Sequence, residues 1–556
     1  MAKLTPAAKG LITITILAIA GAAAWHLGVK DMIAGNAGGG GDPPPNNNNT
    51  GGNTDVATNN GGDGALGSAN NPLKVSIVSF HGYAPALVAN GKSLKTQPGS
   101  IYAKKGINVE FVIQDDIPTL STIFTSNVAQ CAWRTSDFWA QEHPNLRNAG
   151  LDGKAIVVVD NTQGGDAVIA RDPAMKRIED LAGRSVALLQ YTPSDGMVID
   201  AVDNSSLSAR KKKSVKYVYV NADEGTAGVR AAFESGNVDA AALWDPDLSL
   251  ALKNTPGAHV IYSTKTATNL IYDVMVCNKK YLDDPANEAA FSGFVAGWLE
   301  GVEVANNNHD EALDALVKTE EFFALLKQKE GDAFVKGLFK NLVWTGLKDN
   351  ARILGLSGQT NHYERVYKRF DIIYRGAGAL ADPNSPVINP QESFDYRFVK
   401  KLLASNPTAQ AEAKKPEYTF TANAAVEAAK KPASLTKPVT VGFKSGSADL
   451  TKRAQKTIDE EMVPLIENNG SAYFEVSGNT DSTGSKAVNM KLSKKRAQAV
   501  VDYLVAEWEF GKDRFVVVGY GPSRPLCNEK NPKEEDLSLE DCRAANRTTR
   551  LAVLAR

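Results

Sequence analysis

The residues able to do chemistry gather in two places. Near the C-terminus, Asp481 ends the polar segment Ser477-Gly478-Asn479-Thr480-Asp481, which follows the apolar run Ala472–Val476. A helical stretch runs from Asn489 to Val505, and Asn489, Leu492 and Arg496 fall at i, i+3 and i+7, on one face. A carboxylate in a tight turn and a guanidinium on the next helix suit a zwitterion bearing an ammonium and a carboxylate. The other reading of the two groups is a structural ion pair.

The second set is spread over loops of a longer block. Ser79, Phe80 and Gly82 end a first strand; Arg134, Thr135 and Ser136 follow a strand around Ala129–Trp133 and open a helix. Tyr191, Thr192 and Ser194 stand where a strand hands over to a helix, with Pro193 suited to its first turn. Trp244 and Asp245 end a strand beginning at Val238, and Asp166 is a further candidate. Hydroxyls and free N–H groups at helix starts make an oxyanion site, and Arg134 would add a bidentate clamp. The expected ligand is a small anion or zwitterion with an apolar body against Trp244 or Tyr191. A Ser or Thr there also serves as a plain cap, and Arg134 has Asp137 within reach as a partner.

These loops need a scaffold. Strands are predicted at Leu73–Phe80, Ile107–Gln114, Ala155–Val159, Ala167–Ala170, Ser185–Leu189 and Val215–Val220. Helical stretches such as Ile117–Ser126, Pro193–Val202 and Gly225–Glu234 lie between them. Alternation of this kind builds parallel sheets with helices on both faces and ligands beyond the strands' carboxyl ends. From Thr440 the pattern changes: a short strand Thr440–Phe443, a helix from about Thr451, and strands at Ala472–Val476, Arg514–Gly519 and Leu551–Leu554.

Absences narrow the function. No HExxH, GxSxG or GxxxxGK[ST] occurs, and the six histidines show no metal-pair spacing, so neither enzyme chemistry, metal nor cofactor is expected. A formal charge of −1 gives no broad basic surface for nucleic acid. Cys527 and Cys542 flank a charged loop and are expected to pair in an oxidising compartment, contributing about 3 kcal/mol. Cys131 and Cys277 lie in apolar runs and read as core residues rather than a second bridge.

The compartment follows from the N-terminus. Lys3 and Lys9 precede an apolar run from Leu11 to Val29, the length of a membrane span, with Ala22-Ala23-Ala24 as a competing cleavage site. Either reading exports the rest. The expected organisation is a signal-anchor or transmembrane helix over 1–33, a disordered Gly/Asn/Pro linker over 34–71 and a large block over 72–404. A second linker over 405–438 and a small domain over 439–556 complete it.

The large block resembles the periplasmic substrate-binding proteins of ABC importers, of the nitrate/sulfonate/taurine type. The matching pieces are His81–Gly91, Gly164–Ala170, Ile178–Leu188 and Ser235–Leu252. The resemblance implies an α/β, two-lobed type 2 periplasmic-binding fold that closes over one solute, with crossings near Asp160–Asp166 and Thr264–Asp273. The second lobe would then span about 165–268, and an ABC permease would be a partner. The C-terminal block resembles the α+β peptidoglycan-binding domain of OmpA, MotB and Pal lipoproteins, through GxTD and N-x-x-L-S-x-x-R-A. Asn479 replaces the usual His, and Asn546-Arg547-Thr548-Thr549-Arg550 departs from the usual arginine pair. By that resemblance Asp481 takes the ammonium of diaminopimelate and Arg496 its carboxylate. Asn479, Thr480, Asn489, Leu492 and Arg547 are expected around them. The whole is then expected in the periplasm, held at the inner membrane by the first helix, with outer-membrane association or a free periplasmic form if that helix is cleaved.

Overall fold

A computed structural model describes residues 64–116, 122–123, 126–444 and 446–556. The predicted anchor and most of the first linker lie outside them. Within the described residues no helix is long and apolar enough to cross a membrane. Residues 64–71 of the predicted linker already belong to the folded body, with Gly67 accepting from the Asn108 N–H at 2.7 Å.

The strands, in chain order, are β1 (Leu73–Ile77), β2 (Val109–Ile113), β3 (Cys131–Thr135), β4 (Gly153–Thr162), β5 (Asp166–Ala170), β6 (Ser185–Leu189) and β7 (Lys216–Val220). They continue with β8 (Ala240–Trp244), β9 (His259–Ser263), β10 (Tyr272–Asn278), β11 (Leu342–Trp344), β12 (Leu435–Val439), β13 (Tyr473–Asn479), β14 (Phe515–Gly521) and β15 (Thr549–Leu554). Five helices matter below: α1 (Ser136–Asn148), α2 (Pro193–Asp203), α3 (Glu288–Asn307), α4 (His362–Ala377) and α5 (Lys486–Trp508).

Three sheets result. The first has order β11-β4-β10-β3-β1-β2, the second β7-β6-β8-β5-β9, and the third β12-β15-β13-β14. Strands such as β4 and β10 read as nearly unbroken apolar runs because helices cover both sheet faces, and β10 is buried along its whole length. The chain passes from the first sheet to the second between Thr162 and Asp166, and returns between Ser263 and Tyr272. The expectation of parallel sheets holds only in part. Strand β10 runs antiparallel between β3 and β4, and β5 is antiparallel to both β8 and β9. The cause is the crossing itself, which brings one strand into each sheet from the other lobe.

Three further expectations are corrected. Cys131 and Cys277 form a disulfide: they are register partners across antiparallel β3 and β10, with Cα atoms 4.0 Å apart, which apolar context alone does not reveal. The 405–438 stretch is ordered rather than a tether. Asn406 caps a helix over Pro407–Ala413, Thr421 caps another over Ala422–Ala428, and β12 pairs with β15. Ala409 and Ala413 are buried against Ala351 and Leu403, and Ala425 and Ala428 against Tyr473 and Leu554. Alanine favours helix and permits close approach, so a composition that resembles a linker packs here. The strand predicted at Thr440–Phe443 lies earlier, at β12, where Pro438 is tolerated because β12 is an edge.

The third sheet is joined to the second crossing. The Asn269 N–H donates to the Asn468 carbonyl at 3.0 Å, and Ser471 Oγ donates to the Lys265 carbonyl at 2.9 Å.

Candidate functional site

Strand ends from both lobes meet at one cleft. Thr135 faces Asp273 across β3 and β10, and Asp166 faces Trp244 across β5 and β8. These four residues, with Phe80, Trp133 and Thr162, line an inner niche of about 30 Å³. It opens past Phe80, Trp133 and Trp244 into an outer chamber of about 330 Å³. The chamber's charged lining consists of Asp115, Asp116, Asp223, Glu224 and Asp247. No lysine or arginine lines either space among the described residues.

Burial dominates the electrostatics. Asp160 is fully buried beside the niche, and neither carboxylate oxygen has a hydrogen-bond partner. A Cβ at Gly82 would overlap Asp160 Oδ2, so only glycine lets the chain pass over that carboxyl. Burial, then the charges of Asp273 and Asp166, push Asp160 well above the usual carboxylate range. Asp166 rises likewise, chiefly from burial. Asp273 is pushed up to about 7 by burial, against bonds from Tyr83 Oη at 2.8 Å and Trp133 Nε1 at 2.7 Å, both to Oδ2. Burial raises Glu320, behind the outer chamber, to about 9.

The predicted cleft residues divide. Phe80, Thr135, Asp166 and Trp244 line the niche, and Pro193 joins them. Ser79 lies at the outer chamber, where its N–H and hydroxyl both donate to Asp115, at 2.6 and 2.8 Å. Arg134 is not a ligand clamp: it is fully buried on the other face of β3, where its guanidinium grips Glu142 of α1. Alternation along the strand sends Trp133 to the cleft and Arg134 away from it. Ser136 accepts from the Tyr272 N–H at 3.4 Å, and the Thr192 hydroxyl donates to the Leu189 carbonyl at 2.8 Å, so both are structural. Ser194 is buried without a partner for its hydroxyl. Tyr191 reaches the Gly378 carbonyl at 3.5 Å. Asp245 is tied to Asn341 at 2.6 Å and to the Ser249 N–H at 3.0 Å. None of these last five lines the niche or the chamber. Trp133, Asp160 and Asp273 were missed, although a lone aspartate inside the apolar runs of β4 and β10 was a readable signal.

The C-terminal site is built on β13, β14 and α5. Gly519 lies against the α5 backbone, where a Cβ would meet Lys494 N at 2.6 Å, so the helix packs directly on the strands. Asn489 Nδ2 donates to the Thr483 carbonyl at 2.9 Å, locking helix start to turn. Asn479 donates to the Thr548 carbonyl at 3.3 Å, and the Thr480 N–H to the Gly521 carbonyl at 2.9 Å. Asp481 pairs with Arg547 Nη1 at 2.7 Å and accepts from the Thr483 N–H at 3.0 Å. Burial opposes its ionisation, but those bonds outweigh it and lower its pKa. Arg496 does not pair with Asp481. Its Nε donates to the Ser447 carbonyl at 3.0 Å, its guanidinium lies 4.9 Å from the Phe443 ring centre, and no carboxylate partners it among the described residues. Leu492 is half-buried one turn before it. The Cys527–Cys542 disulfide holds the loop bearing Glu529, which accepts from the Ser482 N–H and hydroxyl at 3.0 and 2.6 Å.

Residues 96–312 match the model of the NMT1/THI5 like family, and residues 442–537 that of the OmpA family. Outer membrane protein P5 of Haemophilus influenzae is 35% identical over 134 residues, 23% of this chain and 36% of that protein. A putative aliphatic sulfonates-binding protein of Escherichia coli is 27% identical over 152 residues, 27% of this chain and 44% of that one. The chain thus spans less than half the length of these curated relatives. Among solved structures, the periplasmic aliphatic sulphonate binding protein of Escherichia coli aligns with TM-score 0.44 at 16% identity, covering 57% of this chain and 95% of that one. The chain therefore carries a longer region that matches the NMT1/THI5 like family and a C-terminal region that matches the OmpA family.

Proposed function

We propose that this protein is a solute receptor held at the cell wall. The observation that supports it is one chain carrying a two-lobed cleft with aromatic walls and a turn site whose Arg496 has no carboxylate partner among the described residues. At the turn, the ligand's ammonium takes the place of Arg547 on Asp481, and its carboxylate is taken by Arg496. Diaminopimelate in peptidoglycan presents that pair of groups. At the cleft, rotation about the crossings closes the lobes on a small molecule for delivery to an ABC permease, with the N-terminal segment as a membrane tether. Pull-down on purified sacculi tests the first half: Asp481→Ala and Arg496→Ala should each abolish it, and retention by both variants overturns the assignment.

A second reading, a ligand sensor or envelope scaffold, is favoured by one feature. The second crossing is hydrogen-bonded to the OmpA-like unit through Asn269 and Ser471, so lobe motion bears on the wall-binding unit. Mass spectrometry of small molecules released from the purified protein, with uptake assays for them, separates transport from sensing.

A further inference from the structure

We propose that the cleft takes a small organic cation, an ammonium or amidinium seated against Asp166 and Asp273 with its body between Trp133 and Trp244. The inference rests on the solute-receptor reading and names its ligand class. Three observations carry it. Among the described residues, the charged groups lining niche and chamber are all acidic. The one arginine expected to meet an anion, Arg134, is consumed by Glu142 on the far face of β3. Asp160 is fully buried beside Asp273 with both oxygens unpartnered, leaving a carboxyl with no protein donor.

Buried carboxyl groups crowded without a cation are costly as anions, so in the empty protein they hold protons instead. A bound cation reverses that balance, because its charge sits where the desolvated carboxylates attract it most. Asp273 is oriented for the role: Tyr83 and Trp133 both donate to Oδ2, and Oδ1 takes no bond from the described protein. The indole faces of Trp133 and Trp244 supply the second element of cation recognition, attraction to a ring quadrupole. An anion meets the opposite: at least three acids at short range and no donor able to neutralise it.

The test uses the full chain and three probes of one shape: benzyltrimethylammonium, benzenesulfonate and benzyl alcohol. Binding is read by tryptophan fluorescence, since Trp133 and Trp244 line the niche, and by thermal shift. The cation should quench and stabilise, with the other two weaker by at least about tenfold. Asp166→Asn and Asp273→Asn should each cut cation affinity by about tenfold while leaving the circular dichroism spectrum and a cooperative unfolding transition of the lobed unit intact, which checks that the variants fold. Tighter binding of the sulfonate or the alcohol overturns the charge assignment and leaves the receptor reading standing. Silence from all three probes, and from a wider screen of amines, amino acids and sulfonates, overturns both.

Discussion

The two sites treat carboxylates in opposite ways. At the C-terminal turn, Asp481 is held ionised by Arg547 and the Thr483 N–H, so its charge exists before any ligand arrives. In the cleft, Asp160, Asp166 and Asp273 are buried without a cation, and their charge is suppressed until one comes. A site with a resident counter-ion exchanges partners at little cost; a site without one gains its charge together with its ligand. The first suits a permanent grip on an abundant polymer. The second suits capture and release.

The largest effect should come from breaking the turn. Asp481→Ala leaves Arg547 without its Asp481 partner and removes the proposed ammonium acceptor, and Arg496→Ala removes the guanidinium proposed to take the carboxylate. Each should lower sacculus retention by about a hundredfold, the loss of a charge-assisted contact of about 3 kcal/mol. Neither should alter fluorescence quenching by a cleft ligand. A shared loss in one variant would show the two sites to be coupled through Asn269 and Asn468.

Acidity should sharpen the contrast next. Asp273 titrates at about 7 in the folded chain, above the ordinary value of 3.8, so the native state binds more protons than the unfolded one between those limits. Stability of the ligand-free chain from this group is therefore full below about pH 4 and is lost as pH rises through 7. The groups facing it are Tyr83, Trp133, Asp137, Asp160 and Asp166, with Arg134 behind. Nearby His81 is lowered to about 3 by burial and stays neutral over that range. Affinity for an organic cation should accordingly rise by about tenfold from pH 5.5 to 7.5, measured by titration calorimetry, with proton release on binding. A flat or falling profile would break the assignment of charge to this cluster.

Much of this was legible in the sequence, for reasons that differ by region. The turn was readable because its residues are close in sequence: Asn489, Leu492 and Arg496 keep helical spacing, and Asp481 lies two residues past the end of the strand before them. The one error there concerned the resident partner, since Arg547 lies 66 residues beyond Asp481 and only β15 brings it back. The cleft was harder because it is assembled from five strands of two sheets. Loop logic found Phe80, Thr135, Asp166 and Trp244, but a one-residue error in facing exchanged Trp133 for Arg134 and so expected a guanidinium in a cleft whose charged lining is acidic. The Cys131–Cys277 bridge was hidden for the same reason, because its partners are neighbours only through a strand that returns after a whole lobe.

The disulfides mark a smaller difference. Cys527–Cys542 closes a short loop and should contribute about 3 kcal/mol, whereas Cys131–Cys277 closes a far longer one and should contribute about 5 kcal/mol. Replacing Cys131 and Cys277 by alanine should therefore lower the unfolding midpoint of the large unit more than the other pair lowers that of the small one. Denaturant unfolding with tryptophan fluorescence reads the first and sacculus retention the second.

The smallest expected effect is the most discriminating. Arg547→Ala removes the cation that holds Asp481 below the usual carboxylate range, but the Thr483 N–H remains and the carboxyl is still ionised at pH 7. If Arg547 is a resident placeholder that the ligand's ammonium displaces, wall retention at pH 7 should change by no more than about threefold. Its acid limit should instead move upward: the variant should release sacculi at a higher pH than the parent chain, because Asp481 then protonates earlier. If Arg547 itself grips the polymer, retention should collapse at every pH. Pull-down across pH 4 to 7 separates the two, and only the first outcome preserves the distinction between a site that carries its own counter-ion and a cleft that waits for one.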